Sequence, residues 1–430
     1  GRIPPRTRQN KPEDLGRWFA DIARRNAARP LIRVGGQSLA YGWFLEQASQ
    51  LAHSLRREAS FTPGALVALL HENSPEYVIG FYGILLAGGT VVPIHPQVDA
   101  DRIGSILDVS HPTHLLEPLD RSRTWGMGPE ITVRGESRLV LTRFHSKTGT
   151  SASSDSRARR KRTDVAAVRP AVVLFTSGST GTPKGVMLSH RNLISNALAI
   201  RRMLRIRQAD CGLANLPFHF AFGNSVLQSH ALAGASLVLE KSLVCAESYP
   251  RAVRQHAVTG WYGVPDQIRF LAHHGWLGRE CCPDLRHVAV AGGALESSEA
   301  RALSEHIRPA QLILMYGQTE ATARLSYLPP QELPRRPDSI GRGIPGVTLQ
   351  VVRPDGSPVR PGETGELRAR GPNVMLGYWR DPAATRRVLR SGWLWTGDLA
   401  TTDAEGWIYL RGRKNQWVKI AGHRVHPSEI

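Results

Sequence analysis

Cysteine is scarce. The four in this chain of 430 residues, Cys211, Cys245, Cys281 and Cys282, follow no metal-ligand spacing, and the adjacent pair Cys281–Cys282 is not a C-x-x-C motif. That pattern argues against a zinc or redox centre and leaves reduced, mostly buried thiols, the usage of a cytoplasmic protein. A charged-then-apolar start of the signal-peptide kind is also missing. Long hydrophobic runs are broken. The longest uncharged stretch, "YVIGFYGILLAGGTVVPI" (Tyr77–Ile94), is interrupted by Gly80, Gly83, Gly88, Gly89 and Pro93. It reads as a buried helix, a turn and the start of a strand, with no membrane span.

Acidic residues are outnumbered. Lys and Arg total 55 against 36 Asp and Glu, giving a formal charge of +19. Such an excess suits an anionic partner. Yet the acids are interspersed throughout, and no stripe alternates basic with aromatic residues in the manner of a single-strand binder. The charge is read as suiting a phosphate-rich small ligand or an acidic protein, with no nucleic acid.

What is present is a loop-rich α/β pattern, with 41 glycines and 29 prolines. Strand-like "ALVALLHE", helix-like "SPEYVIGFYGILLAGG" and strand-like "VVPIHP" alternate in the first part. Further strands are expected at "AVVLFT", "SLVLE", "GWYGV", "HVAVAGG" and "LILMYG". Alternation of this kind predicts βαβ units and mostly parallel sheets, in two subdomains. Beyond Asp338 short alternating stretches joined by a Pro-Asp-Gly turn predict a smaller antiparallel, barrel-like β subdomain over about 339–411. The segment at about 145–164, Ser-rich with an Arg-Arg-Lys-Arg cluster, reads as a mobile surface loop.

The segment "LFTSGSTGTPKGV" (Leu174–Val186) concentrates glycines, hydroxyls and one lysine, the means to turn backbone N–H groups and a charge toward an anion. It is not a Walker loop. Pro183 precedes Lys184, Gly185 follows it, and an extended pattern resumes, with a helix expected only near Asn192. Strands on both sides mean that no helix dipole assists the loop. The G-x-S-x-G elbow of a hydrolase is absent as well. "AGGAL" (Ala291–Leu295), "MYGQTEA" (Met315–Ala321), "GWLWTGDLA" (Gly392–Ala400) and "LRGRKNQWVKIAGHRVHPSEI" follow in order.

In that order these segments resemble the signatures of the adenylate-forming superfamily: acyl- and aryl-CoA synthetases, luciferases and nonribosomal-peptide adenylation domains. The resemblance implies an ATP- and Mg²⁺-dependent acid–thiol ligase. Thr176, Ser177, Gly178, Ser179, Thr180, Gly181 and Lys184 would clasp the phosphates that leave as pyrophosphate. Gly292, Gly293 and Ala294 would let backbone approach the purine; Leu295 stands where the family usually has Pro. Tyr316 offers a face for adenine beside Gly317 and Gln318, Thr319 a donor for the α-phosphate, and Glu320 a hard oxygen for Mg²⁺. Thr319, Glu320 and Lys184 are the expected catalytic groups. Asp398 and Arg413 would hold the ribose. The implied organisation is a large AMP-binding domain over 1–411, then a hinge and the start of a smaller domain over 412–430. The family's deep C-terminal lysine lies beyond Ile430, and Lys419 does not replace it, so the chain as given is expected to form the adenylate poorly. Asn415 stands at the hinge position where Asp or Lys is common.

"LPFHFAFGNSVLQSHALAGA" (Leu216–Ala235) resembles the helix lining the family's acid pocket. Ala221 falls where amino-acid-activating relatives keep an Asp, which speaks against an α-amino acid, since an ammonium buried there would be unpaired. Phe218, Phe220 and Phe222 read either as an apolar wall for an aryl or fatty acyl group or as core packing. His219 sits one place before the family's usual His. Gly263, Val264 and Ala291 complete the expected pocket, and Arg324 reads as a surface arginine or as a partner for a polar substituent of the acid. The thiol acceptor is CoA or the phosphopantetheine of an acidic acyl or peptidyl carrier protein. Two alternatives stand beside a CoA ligase: a freestanding adenylation enzyme loading a carrier protein, and a noncatalytic nucleotide-binding relative.

Overall fold

The uncharged run that is too broken for a membrane folds as its punctuation dictates. Ser74 caps a helix over Pro75–Ala87 by accepting from the Tyr77 N–H, with Pro75 in the first turn where its missing N–H costs nothing. Gly88 ends it at φ 88°, a left-handed cap that only glycine adopts freely, and the strand Thr90–Ile94 follows. Among the described residues no helix is long and apolar enough to cross a membrane. The computed structural model describes residues 14–118, 131–132, 139–143, 169–176, 183–240, 248–414, 418–420 and 423–425. The basic segment at about 145–164 and most of the expected hinge over 412–430 lie outside them.

Two large sheets organise these residues. In the first, Gln311–Tyr316, His287–Val290, Gly260–Gly263, Cys211–Leu213, Ser236–Val238 and Pro30–Val34 lie side by side. Each of these pairs is parallel. The second sheet has a parallel centre of Val172–Thr176, Thr90–Ile94, Leu66–Leu70 and His114–Pro118, with antiparallel strands at its edges. Leu66–Leu70 and Thr90–Ile94 are buried at every position, as strands covered on both faces must be. Helices Tyr41–Arg57 and Pro75–Ala87 share one core with residues of both sheets, including Leu116, Leu174, Leu237 and Ile313.

The barrel-like expectation is corrected. Strands Ser339–Gly343, Ile408–Arg413, Trp393–Thr402, Gly365–Arg370 and Thr348–Val352 are antiparallel, but they extend the first sheet as an open edge. Closure would require Thr348–Val352 to find a free partner edge. The opposite side of this group is already bonded, through Ser326–Leu328, to the parallel strands. Cys211 and Cys282 are buried and Cys281 is half-buried, none of them disulfide-bonded; Cys245 lies outside the described residues.

Candidate active site

Parallel strands end together, and their C-terminal ends are where a doubly wound sheet offers backbone groups to a ligand. Register aligns Gly263 with Val290 and Val290 with Leu314. Gly263, Val264, Ala291 and the exposed Gly292, Gly293 and Ala294 therefore stand beside Tyr316, Gly317 and Gln318 at one rim. The chain then makes a 3-10 turn over Thr319–Ala321 and passes through left-handed Thr322 (φ 58°) and Ala323 (φ 99°). Gly317 is required here. A Cβ on it would lie 1.7 Å from the Ala323 carbonyl oxygen, because the loop folds back on its own start. Buried Asn373 ties this loop down, donating to the carbonyls of Ala321 at 3.0 Å and Arg324 at 2.8 Å, while Thr322 Oγ1 donates to the Asn373 carbonyl.

The Thr-Gly-Asp segment arrives from the antiparallel strands. Thr396 Oγ1 accepts from the Asp398 N–H at 3.1 Å, and the strand pair Trp393–Thr402 with Ile408–Arg413 sets Asp398 opposite Arg413. Tyr316 Oη donates to Asp398 Oδ2, and Arg413 Nε meets Oδ1 at 2.9 Å. Asp398 is 5% exposed. Burial pushes its carboxyl above the usual range despite the opposing pull of the Tyr316 hydroxyl and the Arg413 guanidinium. Two acceptor oxygens, each already aimed by a fixed donor, suit a diol.

A second cluster forms around Glu320. Strand Gly377–Tyr378 pairs with Lys184–Leu188, the strand that leaves the glycine-rich segment. That pairing brings Tyr378 Oη to Glu320 Oε1 at 2.7 Å and sets Lys184 Nζ 5.8 Å from the centre of the Tyr378 ring. Tyr378 was not among the residues expected from sequence. It lies in "GPNVMLGYW", a segment otherwise of structural character, and only the pairing of distant strands makes it a neighbour of the motif carboxylate. Thr176 and Lys184 face each other as the last and first residues of their strands. Ser177, Gly178, Ser179, Thr180 and Gly181 lie outside the described residues. The following helix begins at His190, two residues before the expected position, because Ser189 and Asn192 form a capping box.

On the acid side the expected residues separate. Phe218 is fully buried in the core, its ring 5.4 Å from that of Tyr77, while Phe220 is 55% exposed. The His219 ring lies tilted against those of His95 (4.9 Å) and Phe220 (4.0 Å), and burial, aided by His95, lowers its imidazole to about 3. Ala221 opens the helix Ala221–Ala231. Arg324 is not at the surface: it is 2% exposed, with its guanidinium 3.7 Å above the Phe222 ring. Burial lowers it to about 9.

The AMP-binding enzyme family matches residues 19–379. A feruloyl-CoA synthase of an Amycolatopsis species is 28% identical over 419 residues, covering 97% of this chain and 82% of that protein. An L-proline–[L-prolyl-carrier protein] ligase of Streptomyces coelicolor is 30% identical over 427 residues, 95% of this chain and 80% of its own length. In three dimensions the fold resembles the O-succinylbenzoate coenzyme A synthetase of Bacillus subtilis in complex with AMP. The TM-score is 0.79 at 22% identity, over 97% of this chain and 82% of that one. Since the matched span carries the glycine-rich segment, the Tyr-Gly-Gln-Thr-Glu loop and Tyr378, the chain belongs to the AMP-binding enzyme family of adenylate-forming ligases.

Proposed function

We infer that the chain is an AMP-forming acid–thiol ligase. It activates a carboxylic acid with ATP, and the acyl group then passes to a thiol. In the first half-reaction a carboxylate oxygen attacks the α-phosphorus and the bond to the β-phosphate oxygen breaks, giving acyl-AMP and pyrophosphate. In the second, the thiol sulfur adds to the acyl carbon, loses its proton, and AMP leaves. The single observation behind this reading is the convergence of Tyr316, Asp398 and Arg413 beside Glu320, Tyr378 and Lys184.

Each group then has a defined task. Asp398 accepts the ribose hydroxyls, Tyr316 lays its ring against adenine, and Gly292–Ala294 present backbone at the purine edge. Thr319 and Lys184 stabilise charge that grows on the phosphates, work done by positioning and fixed donors. Glu320 fits Mg²⁺. One carboxylate suffices for an ion that keeps water and takes phosphate oxygens, and among the described residues no cluster of three or more metal-ligating side chains competes. That ion would screen the phosphate charge. The acid lies toward Phe222 and Arg324, and Ala221 offers no carboxylate for an α-ammonium. CoA is the proposed acceptor; the carrier-protein reading rests on relatives such as the prolyl-carrier ligase.

Acid-dependent exchange of labelled pyrophosphate into ATP tests this, over a panel of aryl, short-chain, long-chain and amino acids. Exchange with a non-amino acid, followed by thioester formation on CoA, is expected. Tight AMP binding with neither exchange nor thioester formation from a supplied acyl-adenylate, for any acid, would leave a noncatalytic nucleotide-binding protein instead.

A further inference from the structure

Arg324 is among the largest fully buried side chains of the molecule, at 2% exposure. A guanidinium keeps its charge near neutral pH, so burying one without an anion is costly. Among the described residues Arg324 has no ion-pair partner, and its one side-chain hydrogen bond is from Nε to the Met315 sulfur at 3.2 Å, a weak acceptor. One flat face lies on Phe222 at 3.7 Å. Stacking occupies that face and leaves the edge with the two terminal nitrogens unengaged by described residues, the edge that grips a carboxylate through two parallel bonds.

The position of this edge is what matters. Met315 directly precedes Tyr316 of the nucleotide cluster, and Phe222 lies in the first turn of the helix that begins at Ala221. The charge therefore sits between the strand that carries the nucleotide and the helix that bounds the acid. The backbone of Arg324 is held in place, since its carbonyl accepts from Asn196 at 3.1 Å and from Asn373 at 2.8 Å. A small cavity beside the same helix is lined by Leu174, Leu188, Leu193 and Ala197 together with Asn196 and Gln228, whose buried Oδ1 and Nε2 have no hydrogen-bond partner. A purely apolar acyl tail against the guanidinium would leave its two terminal nitrogens unmet.

We propose that Arg324 is a specificity-determining residue that receives a second carboxylate on the acid, so that the substrate class is dicarboxylic acids activated at one end. This rests on the acid–thiol ligase reading. Ala221 removes the anchor for an ammonium, and Arg324 supplies one for an anion instead.

Paired acyl-sulfamoyl adenosines, hydrolysis-resistant mimics of acyl-AMP, test it by calorimetry. In each pair the acyl chain ends either in a carboxylate or in its methyl ester, across short aliphatic and para-substituted benzoyl series. The carboxylate member of at least one pair is expected to bind on the order of 10²-fold tighter. Arg324→Leu should abolish or reverse that preference, and Arg324→Lys should keep part of it, as a point charge without the fork. AMP binding serves as the fold control. Equal or tighter binding of the methyl esters in every pair overturns the proposal. So does a loss in the leucine variant that is equal for both members of a pair while the lysine variant, with AMP binding intact, keeps no preference. If neither AMP nor any acyl-sulfamate binds, the ligase reading itself falls and this one with it.

Discussion

Tyr316 and Asp398, 82 positions apart in the chain, share a hydrogen bond that closes one side of the proposed nucleotide site. The tyrosine comes from the last parallel strand and the aspartate from the antiparallel extension. Losing the hydroxyl in Tyr316→Phe keeps the ring and removes one donor from a buried carboxylate. AMP affinity should fall about 5- to 10-fold, a loss of about 1 kcal/mol or slightly more. Asp398→Ala removes the carboxylate that meets both Tyr316 and Arg413 and should weaken AMP on the order of 10²-fold. Calorimetric titration with AMP reads both, and equal affinity in all three proteins would remove Asp398 from the site.

Glu320 and Tyr378 separate binding from chemistry. Glu320→Gln keeps an acceptor for the Tyr378 hydroxyl but loses the charge proposed to hold a divalent cation. Pyrophosphate exchange should drop by on the order of 10²–10³-fold while metal-free AMP binding stays. Tyr378→Phe frees the carboxylate to wander and should raise the Mg²⁺ concentration needed for half-maximal exchange. Loss of AMP binding in step with exchange would instead make Glu320 a purely structural support of its loop.

Gly317 tests the loop itself. In Gly317→Ala the new methyl carbon would lie 1.7 Å from the Ala323 carbonyl, so the turn over Thr319–Ala321 has to move. A cost of about 1–3 kcal/mol is expected, read as a lowered urea midpoint together with weaker AMP binding. An unchanged midpoint would show that the fold-back is not held as tightly as its geometry requires.

Buried histidines set the acid limit of the fold. Tyr262 Oη lies 2.8 Å from His287 Nε2 and 3.3 Å from His230 Nε2, and burial lowers His287 to about 3 and His230 to about 4. Unfolding returns both to an ordinary value of about 6.5. Between these limits the unfolded chain binds more protons, so stability is full above pH ~6.5 and declines as pH falls toward 4. Each residue contributes a slope of up to ~1.4 kcal/mol per pH unit in that window. His230→Gln should flatten the fall between pH 6.5 and 4, measured by urea midpoints across that range. A slope identical to that of the parent would assign the decline to other groups.

Much of the fold was legible because its signals are local. Apolar runs such as "ALVALL" and "AVVLFT" have one stable use, as strands buried on both faces, and Pro75 and Gly88 bracket a helix by their own backbone geometry. The open edge that replaced the expected barrel was not legible. Alternation within strands says they are antiparallel, but which edge they join depends on Ser326–Leu328 being free to receive Ser339–Gly343. Arg324 was equally hidden, since an arginine four residues past a motif glutamate carries no mark of burial until Phe222 is seen beneath it.

The amino-acid order by itself determined the chemistry on offer: hydroxyls, glycines and a lysine in one segment, an aromatic, a hydroxyl and a carboxylate in the next, an aspartate in a third. Short-range geometry also fixed how each of these pieces turns. Only the tertiary structure decided which pieces meet, because contacts such as Tyr316 with Asp398 and Glu320 with Tyr378 depend on strands pairing across long stretches of chain. It also decided that one arginine is withdrawn from water without an anion among the described residues, since burial is a property of the packed whole and not of any segment.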